Sequence, residues 1–69
     1  MSETRKKLNR IKAVLADQGK TNTDLSKALD RNRTSVSRWC TNESQPSLET
    51  LFEIAEYLKV DVCELIAKK

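Results

Sequence analysis

The chain has 69 residues, of which 38% are hydrophobic and 33% charged, and its formal net charge is +3. These totals suit one small folded domain rather than a disordered chain. With no histidine, one glycine and two well-separated cysteines, the sequence argues against zinc sites, phosphate-binding loops and disulfide scaffolds. No apolar run reaches membrane-spanning length. We therefore expect a cytoplasmic protein that is not an enzyme, with no catalytic residue, metal or cofactor.

The first helix is predicted from about Thr4 to Asp17. Its apolar positions fall on one side of a helix, where they can face a core; they are Leu8, Ile11, Val14 and Leu15. The basic side chains between them point to solvent. Gly19 is well placed to end this helix.

The second helix is predicted to begin at "TNTDLSKAL". Thr21 can cap it, and Asp24 three residues later completes a weaker form of the capping box. Its expected apolar stripe consists of Leu25, Ala28 and Leu29.

The third helix lies in "RNRTSVSRWCTN", residues 31–42, where Asn32 is a good N-cap. Helical spacing places three residues inward: Val36, Trp39 and Cys40. The outward residues are instead rich in Ser, Thr and Arg. Because Ser and Thr are poor helix formers, this composition favours either the reading of DNA bases or an idle polar surface, and the pattern alone leaves both open.

Two more helices are predicted in the last third. Ser47 caps the fourth, and its apolar residues recur at helical spacing: Leu48, Leu51, Phe52, Ala55 and Leu58. In the fifth, Asp61 is the expected cap, Glu64 its capping-box partner, and Val60 can pack on Leu65.

The segments "TNTDLSKALDRNRTSVSRW" and "QPSLETLFEIAEYLKVDVCELI" together resemble the XRE family of Cro- and phage-repressor-like helix-turn-helix domains. The resemblance implies an all-α, compact five-helix, lambda-repressor-like domain over residues 1–69. The helix-turn-helix would span about 21–41, after a basic N-terminal arm and first helix at about 1–17. Helix 2 would cross the DNA backbone while helix 3 enters the major groove, usually in a homodimer.

Carried over by position, the resemblance implies three sets of residues. The base readers would be Arg33, Thr34, Ser35 and Arg38, with Ser37 weaker. The phosphate ligands would be Asn22, Thr41 and Asn42, supplemented by Lys27, Lys7 and Arg10. The structural core would include Leu15, Leu25, Leu29, Val36, Trp39 and Cys40.

Several positions depart from the family pattern. Asp30 stands in the turn where Gly is common, although Asp tolerates positive φ better than most residues. Arg31 follows where an apolar residue is usual, and the loop "NESQP" has no basic residue. Leu15 and Cys40 occupy positions that often hold an Arg–Glu ion pair. Because both charges are missing together, we predict that Leu15 and Cys40 contact each other as an apolar substitute.

The function that this resemblance implies is sequence-specific binding of double-stranded DNA by a small transcriptional regulator, a repressor. The alternative is a protein-interaction module such as an antitoxin, with DNA binding secondary. It is favoured by the acidic last third, where residues 46–69 carry three Lys against five acids. A third possibility is an RNA-binding module, but this sequence lacks the exposed aromatic residues that usually stack on unpaired bases. The candidate dimer contacts are Phe52, Tyr57, Val62 and Ile66.

Overall fold

The computed structural model describes residues 8–67. The elements in chain order are α1 (Ile11–Asp17), α2 (Asn22–Leu29), α3 (Arg33–Cys40), α4 (Leu48–Leu58) and a short 3-10 helix (Val62–Leu65). The all-α expectation is confirmed for this part of the chain, but the fifth helix is a single 3-10 turn. Across residues 8–67, every helix is too short or too polar to span a membrane.

The first helix begins at Ile11 and not near Thr4. Within the described residues, the segment before it pairs with the C-terminal segment through an antiparallel bridge between Asn9 and Ile66. The Arg10 N–H donates to the Leu65 carbonyl at 2.8 Å. The prediction that residues 8–10 are helical is therefore wrong, because partners distant in sequence take their backbone groups. Residues 4–7 of the predicted helix lie outside the described residues.

Local capping signals account for most of the other helix boundaries. Thr21 and Asp24 form the complete capping box at the start of α2, while Asn32 and Ser47 accept backbone N–H groups at the starts of α3 and α4. These predictions are confirmed. Asp61 makes no side-chain cap, so that prediction is wrong. Because capping contacts join residues two or three apart, they are the most readable part of the sequence.

The core is formed where α1, α2, α3, α4 and the 3-10 helix meet. Its buried apolar members are Ile11, Val14, Leu15, Leu25, Val36, Trp39, Cys40, Ile54, Ala55, Leu58 and Leu65, with Leu29 and Leu51 among those packed against it. Two of the predicted apolar positions are exposed: Leu8, which precedes α1, and Ala28 on α2. They do not contribute to the buried stripes.

The buried side of α4 is rotated from the predicted stripe. Thr50 and Ile54 are buried, whereas Leu48 is 69% and Phe52 54% exposed. Leu48 therefore lies outside the core despite its helical spacing, and Phe52 is exposed, as its choice as a candidate dimer contact requires. An apolar residue at helical spacing can lie on either edge of a stripe, and packing decides which edge is covered.

Candidate nucleic-acid interface

The buried side of α3 determines which of its residues face outward. Val36, Trp39 and Cys40 are 0%, 8% and 5% exposed, as their helical spacing predicts. Successive residues of an α-helix are about 100° apart, so burying these three turns the opposite side to solvent. Arg33, Thr34, Ser37 and Arg38 are exposed.

A shallow groove of about 450 Å³ lies between the start of α2, the outer side of α3 and the loop that follows α3. The side chains that line it are almost all polar: Asn22, Thr23, Arg33, Thr34, Ser37, Arg38 and Glu43. It brings three predicted base readers together with the predicted phosphate ligand Asn22. We refer to these seven residues as the α2–α3 groove.

Ser37, and not Ser35, lines the α2–α3 groove. Ser35 is half-buried and does not line the α2–α3 groove. Its backbone N–H is directed to the Oδ1 of the cap residue Asn32, at 3.4 Å. Ser37, the weaker candidate by resemblance, is exposed and lines the groove.

Two polar side chains at the start of α2, Asn22 and Asp24, would affect the binding of an anion in opposite ways. Asn22 is half-buried, and its Oδ1 accepts a hydrogen bond from the Cys40 thiol at 3.1 Å. Asp24 binds the Thr21 backbone N–H, and hydrogen bonds from the Thr21 backbone and side chain hold the pKa of Asp24 below its ordinary value. The carboxylate therefore stays charged at neutral pH and reduces the attraction of this helix end for phosphate.

Asn42 is buried, which the sequence did not indicate. Its side chain is 8% exposed and its backbone has a φ of 64°. Oδ1 accepts from the backbone N–H groups of Leu8 and Asn9 at 2.8 and 3.0 Å, while Nδ2 donates to the Asn9 carbonyl at 3.2 Å. With its amide committed in this way, Asn42 joins the loop after α3 to the segment before α1, and its role as a phosphate ligand stays a prediction.

Asn9 completes this network from the other side. Its Nδ2 donates to the Trp39 carbonyl at 2.9 Å and to Gln45 Oε1 at 2.7 Å. Gln45 in turn donates to Asn42 Oδ1. We call Asn9, Asn42 and Gln45 the asparagine clasp, because they tie the loop after α3 to the segment before α1.

The remaining predicted phosphate ligands do not line the α2–α3 groove. Arg10 donates to the Glu64 carbonyl at 3.1 Å and lies beside the 3-10 helix. Lys27 and Thr41 are exposed outside the groove. Lys7 lies outside the described residues.

Two groove residues were not predicted from the sequence. Thr23 lies beside Asn22 at the start of α2, and a hydroxyl at the second helical position was a signal that could have identified it. Glu43 brings a negative charge to the same groove as Arg33 and Arg38. The sequence showed only that this loop has no basic residue, because the direction of a side chain after a helix end depends on the turn.

Two of the positions that depart from the family pattern, Asp30 and Arg31, are accounted for by the structure. Asp30 adopts the left-handed conformation at the end of α2, with φ 55° and ψ 49°, as the resemblance suggested. Arg31 donates to Thr50 Oγ1 at 3.3 Å and pairs with Glu53 at 3.1 Å. This exposed pair joins the turn to α4 in place of apolar packing, and contributes about 0–1 kcal/mol.

Leu15 and Cys40 belong to the same buried cluster, in which α1 packs on α3. Their direct contact stays a prediction. Cys40 is more than an apolar replacement, however, because its thiol donates to Asn22. Burial raises the pKa of this thiol, while nearby Lys12 acts in the opposite direction.

Comparisons with known proteins agree with this architecture. The family model HTH_3, described as helix-turn-helix, matches residues 11–65. A crystal structure described as that of a "putative DNA-binding protein" from Bacteroides fragilis is 48% identical in sequence, with a TM-score of 0.85. The similarity covers 87% of this chain and 97% of that one. Comparison with curated proteins gave no match. The chain belongs to the XRE-type helix-turn-helix family.

Proposed function

We propose that this protein is a transcriptional regulator that binds a specific site in double-stranded DNA. In this proposal α3 enters the major groove, where Arg33 and Arg38 read guanine and Thr34 contacts thymine methyl groups or base edges. Asn22 and the first backbone N–H groups of α2 hold a phosphate beside it.

The observation that carries the proposal is the composition of the α2–α3 groove. It combines two guanidinium groups, several hydroxyls and one amide on a single exposed surface. A helix that only covered a core would gain more from Glu, Lys or Ala at these positions, since those residues favour helices. The relative from Bacteroides fragilis, whose structure is described as that of a "putative DNA-binding protein", supports the DNA-binding part of this assignment.

We propose further that the protein acts as a homodimeric repressor in the cytoplasm. One domain of this size contacts few base pairs, so two copies on a two-fold site would supply the specificity that one lacks. Occupying an operator is sufficient to block transcription and requires no cofactor.

Selection from a pool of random duplexes tests the proposal. We expect recovery of related sequences in two inverted half-sites, and an affinity that falls steeply as salt rises, because bound phosphates release counterions. Recovery of no common sequence, together with weak binding to all duplexes, would reject sequence-specific binding. Recovery of a single, unrepeated half-site would reject the dimer.

A second candidate function is binding of a protein partner, as an antitoxin does. The observation that favours it is the outer side of α4, where Leu48 and Phe52 expose large apolar side chains one turn apart. The same helix carries Glu49, Glu53 and Glu56. The variant Phe52→Asp separates the two candidate functions. If Phe52 is a dimer contact, the variant should no longer bind the selected duplex as two copies. If Phe52 belongs to a site for another protein, DNA binding should be unchanged.

A further inference from the structure

Cys40 reaches from the core to the α2–α3 groove through one hydrogen bond. Its side chain is 5% exposed and does not line the groove. Its Sγ lies 3.1 Å from Asn22 Oδ1, and Asn22 does line the groove. The thiol is thus the buried neighbour of a residue whose amide is available at the surface.

The direction of this hydrogen bond determines which end of the Asn22 amide faces outward. Burial raises the pKa of Cys40, so the sulfur keeps its proton at neutral pH and can donate it. A carboxamide has one acceptor atom and one donor atom. When Oδ1 is turned to the thiol, Nδ2 is turned away from it, and within residues 8–67 no other hydrogen bond engages the Asn22 amide.

We propose that Cys40 is a positioning residue for DNA binding, which turns the Asn22 amide so that its N–H groups face a phosphate of the DNA backbone. The inference rests on the proposed function. Without the thiol, the Asn22 amide can flip between two orientations. In one of them it presents Oδ1, which a phosphate repels. The contact also explains why a small residue with a weak donor follows Trp39, since its methylene packs in the core while its hydrogen reaches Asn22.

A double-mutant cycle tests this coupling. Affinity for the selected duplex is measured for the wild type, Asn22→Ala, Cys40→Ala and the double variant, at a temperature where unfolding curves show each to be folded. We expect Asn22→Ala to weaken binding about ten- to a hundredfold, the size of one hydrogen bond to a charged group. Cys40→Ala should weaken it less, and the double variant should bind no more weakly than Asn22→Ala. Cys40→Ser, which keeps a donor, should bind within about twofold of the wild type.

Cys63→Ala is the matched control, because Cys63 is an exposed free cysteine on the 3-10 helix; it should leave affinity unchanged. Losses from Asn22→Ala and Cys40→Ala that simply add, or a Cys40→Ser variant as weak as Cys40→Ala, would overturn the inference while leaving DNA binding intact. A wild type that binds no duplex would overturn the proposed function and this inference with it.

A measurement on the wild type keeps the inference testable if Cys40→Ala does not fold. Nuclear Overhauser contacts from the two Asn22 side-chain amide protons report which way the amide points. We expect contacts to groove residues such as Thr23 and none to the Cys40 methylene. Strong contacts to the Cys40 methylene would mean that Nδ2 faces the sulfur, which would overturn the inference.

Discussion

The α2–α3 groove and the asparagine clasp both include residues of the loop after α3, yet they use polar side chains in opposite ways. In the groove, Arg33, Thr34 and Arg38 are exposed. In the clasp, Asn9 and Asn42 are 5% and 8% exposed, and their amides bind partners 30 or more residues away in the sequence. The type of a polar residue therefore does not reveal its role. Burial and the number of satisfied hydrogen bonds do.

The largest expected effect is on the clasp. Asn42→Ala should lower the free energy of unfolding by about 3 kcal/mol, because it leaves the part-buried N–H of Leu8 and the buried N–H of Asn9 without an acceptor and places Ala at positive φ. Urea unfolding measures the loss. Thr41→Ala, at the exposed neighbouring position, should change stability by less than about 0.5 kcal/mol. Equal effects at the two positions would contradict the comparison.

The second-largest effect is expected in the α2–α3 groove, where a substitution should change the affinity for DNA but not the free energy of unfolding. Arg38→Ala should cost about 1–3 kcal/mol in affinity for the selected duplex and relax the preference at one base position. Arg31→Ala removes the same charge beside α4, outside the groove, and should weaken binding far less. Fluorescence anisotropy with matched and mismatched duplexes measures both. Unchanged affinity for Arg38→Ala would remove α3 as the reading helix.

Glu43 is the acidic member of the α2–α3 groove, so it tests how charge in the groove affects DNA binding. Glu43→Gln removes a charge that repels phosphate, so affinity should rise about two- to threefold at low salt, with the gain shrinking as salt screens the interaction. Glu56→Gln, on the outer side of α4, is the control for net charge and should have a smaller effect. A fall in affinity for Glu43→Gln would show that Glu43 contributes to binding and does not oppose it.

The smallest effect concerns backbone strain, which separates Asn42 from two other residues at positive φ. Lys59, at φ 57°, ends α4, and Asp30, at φ 55°, ends α2. Lys59→Gly should raise the free energy of unfolding by about 0.5–1 kcal/mol, and Asp30→Gly by less, because Asp tolerates this conformation better. Asn42→Gly should instead destabilise the domain, since relief of strain does not replace the clasp. Thermal unfolding measures all three, and a stabilising Asn42→Gly would mean that the clasp contributes little.

The local parts of this domain could be predicted from the sequence. The caps at Thr21, Asn32 and Ser47 depend on contacts between residues two or three apart, and the inward stripe of α3 depends on helical spacing. The positive φ of Asp30 was suggested by the resemblance, because the family commonly has Gly in this turn. Helical spacing also predicted the composition of the outer side of α3, but it did not predict which hydroxyl lines the α2–α3 groove.

The sequence by itself therefore determined where α2, α3 and α4 begin and which residues α3 turns inward. It did so because these features depend on neighbours within one helical turn. Only the tertiary structure decided that α1 starts at Ile11, that Asn42 is buried and that the Cys40 thiol meets Asn22. In each case the partner lies far along the chain. The hydrogen bond between Asn42 and Leu8 joins residues 34 apart in the sequence, and the one between Cys40 and Asn22 joins residues 18 apart. No local pattern encodes such pairs, because they form only when separate helices pack around a shared core.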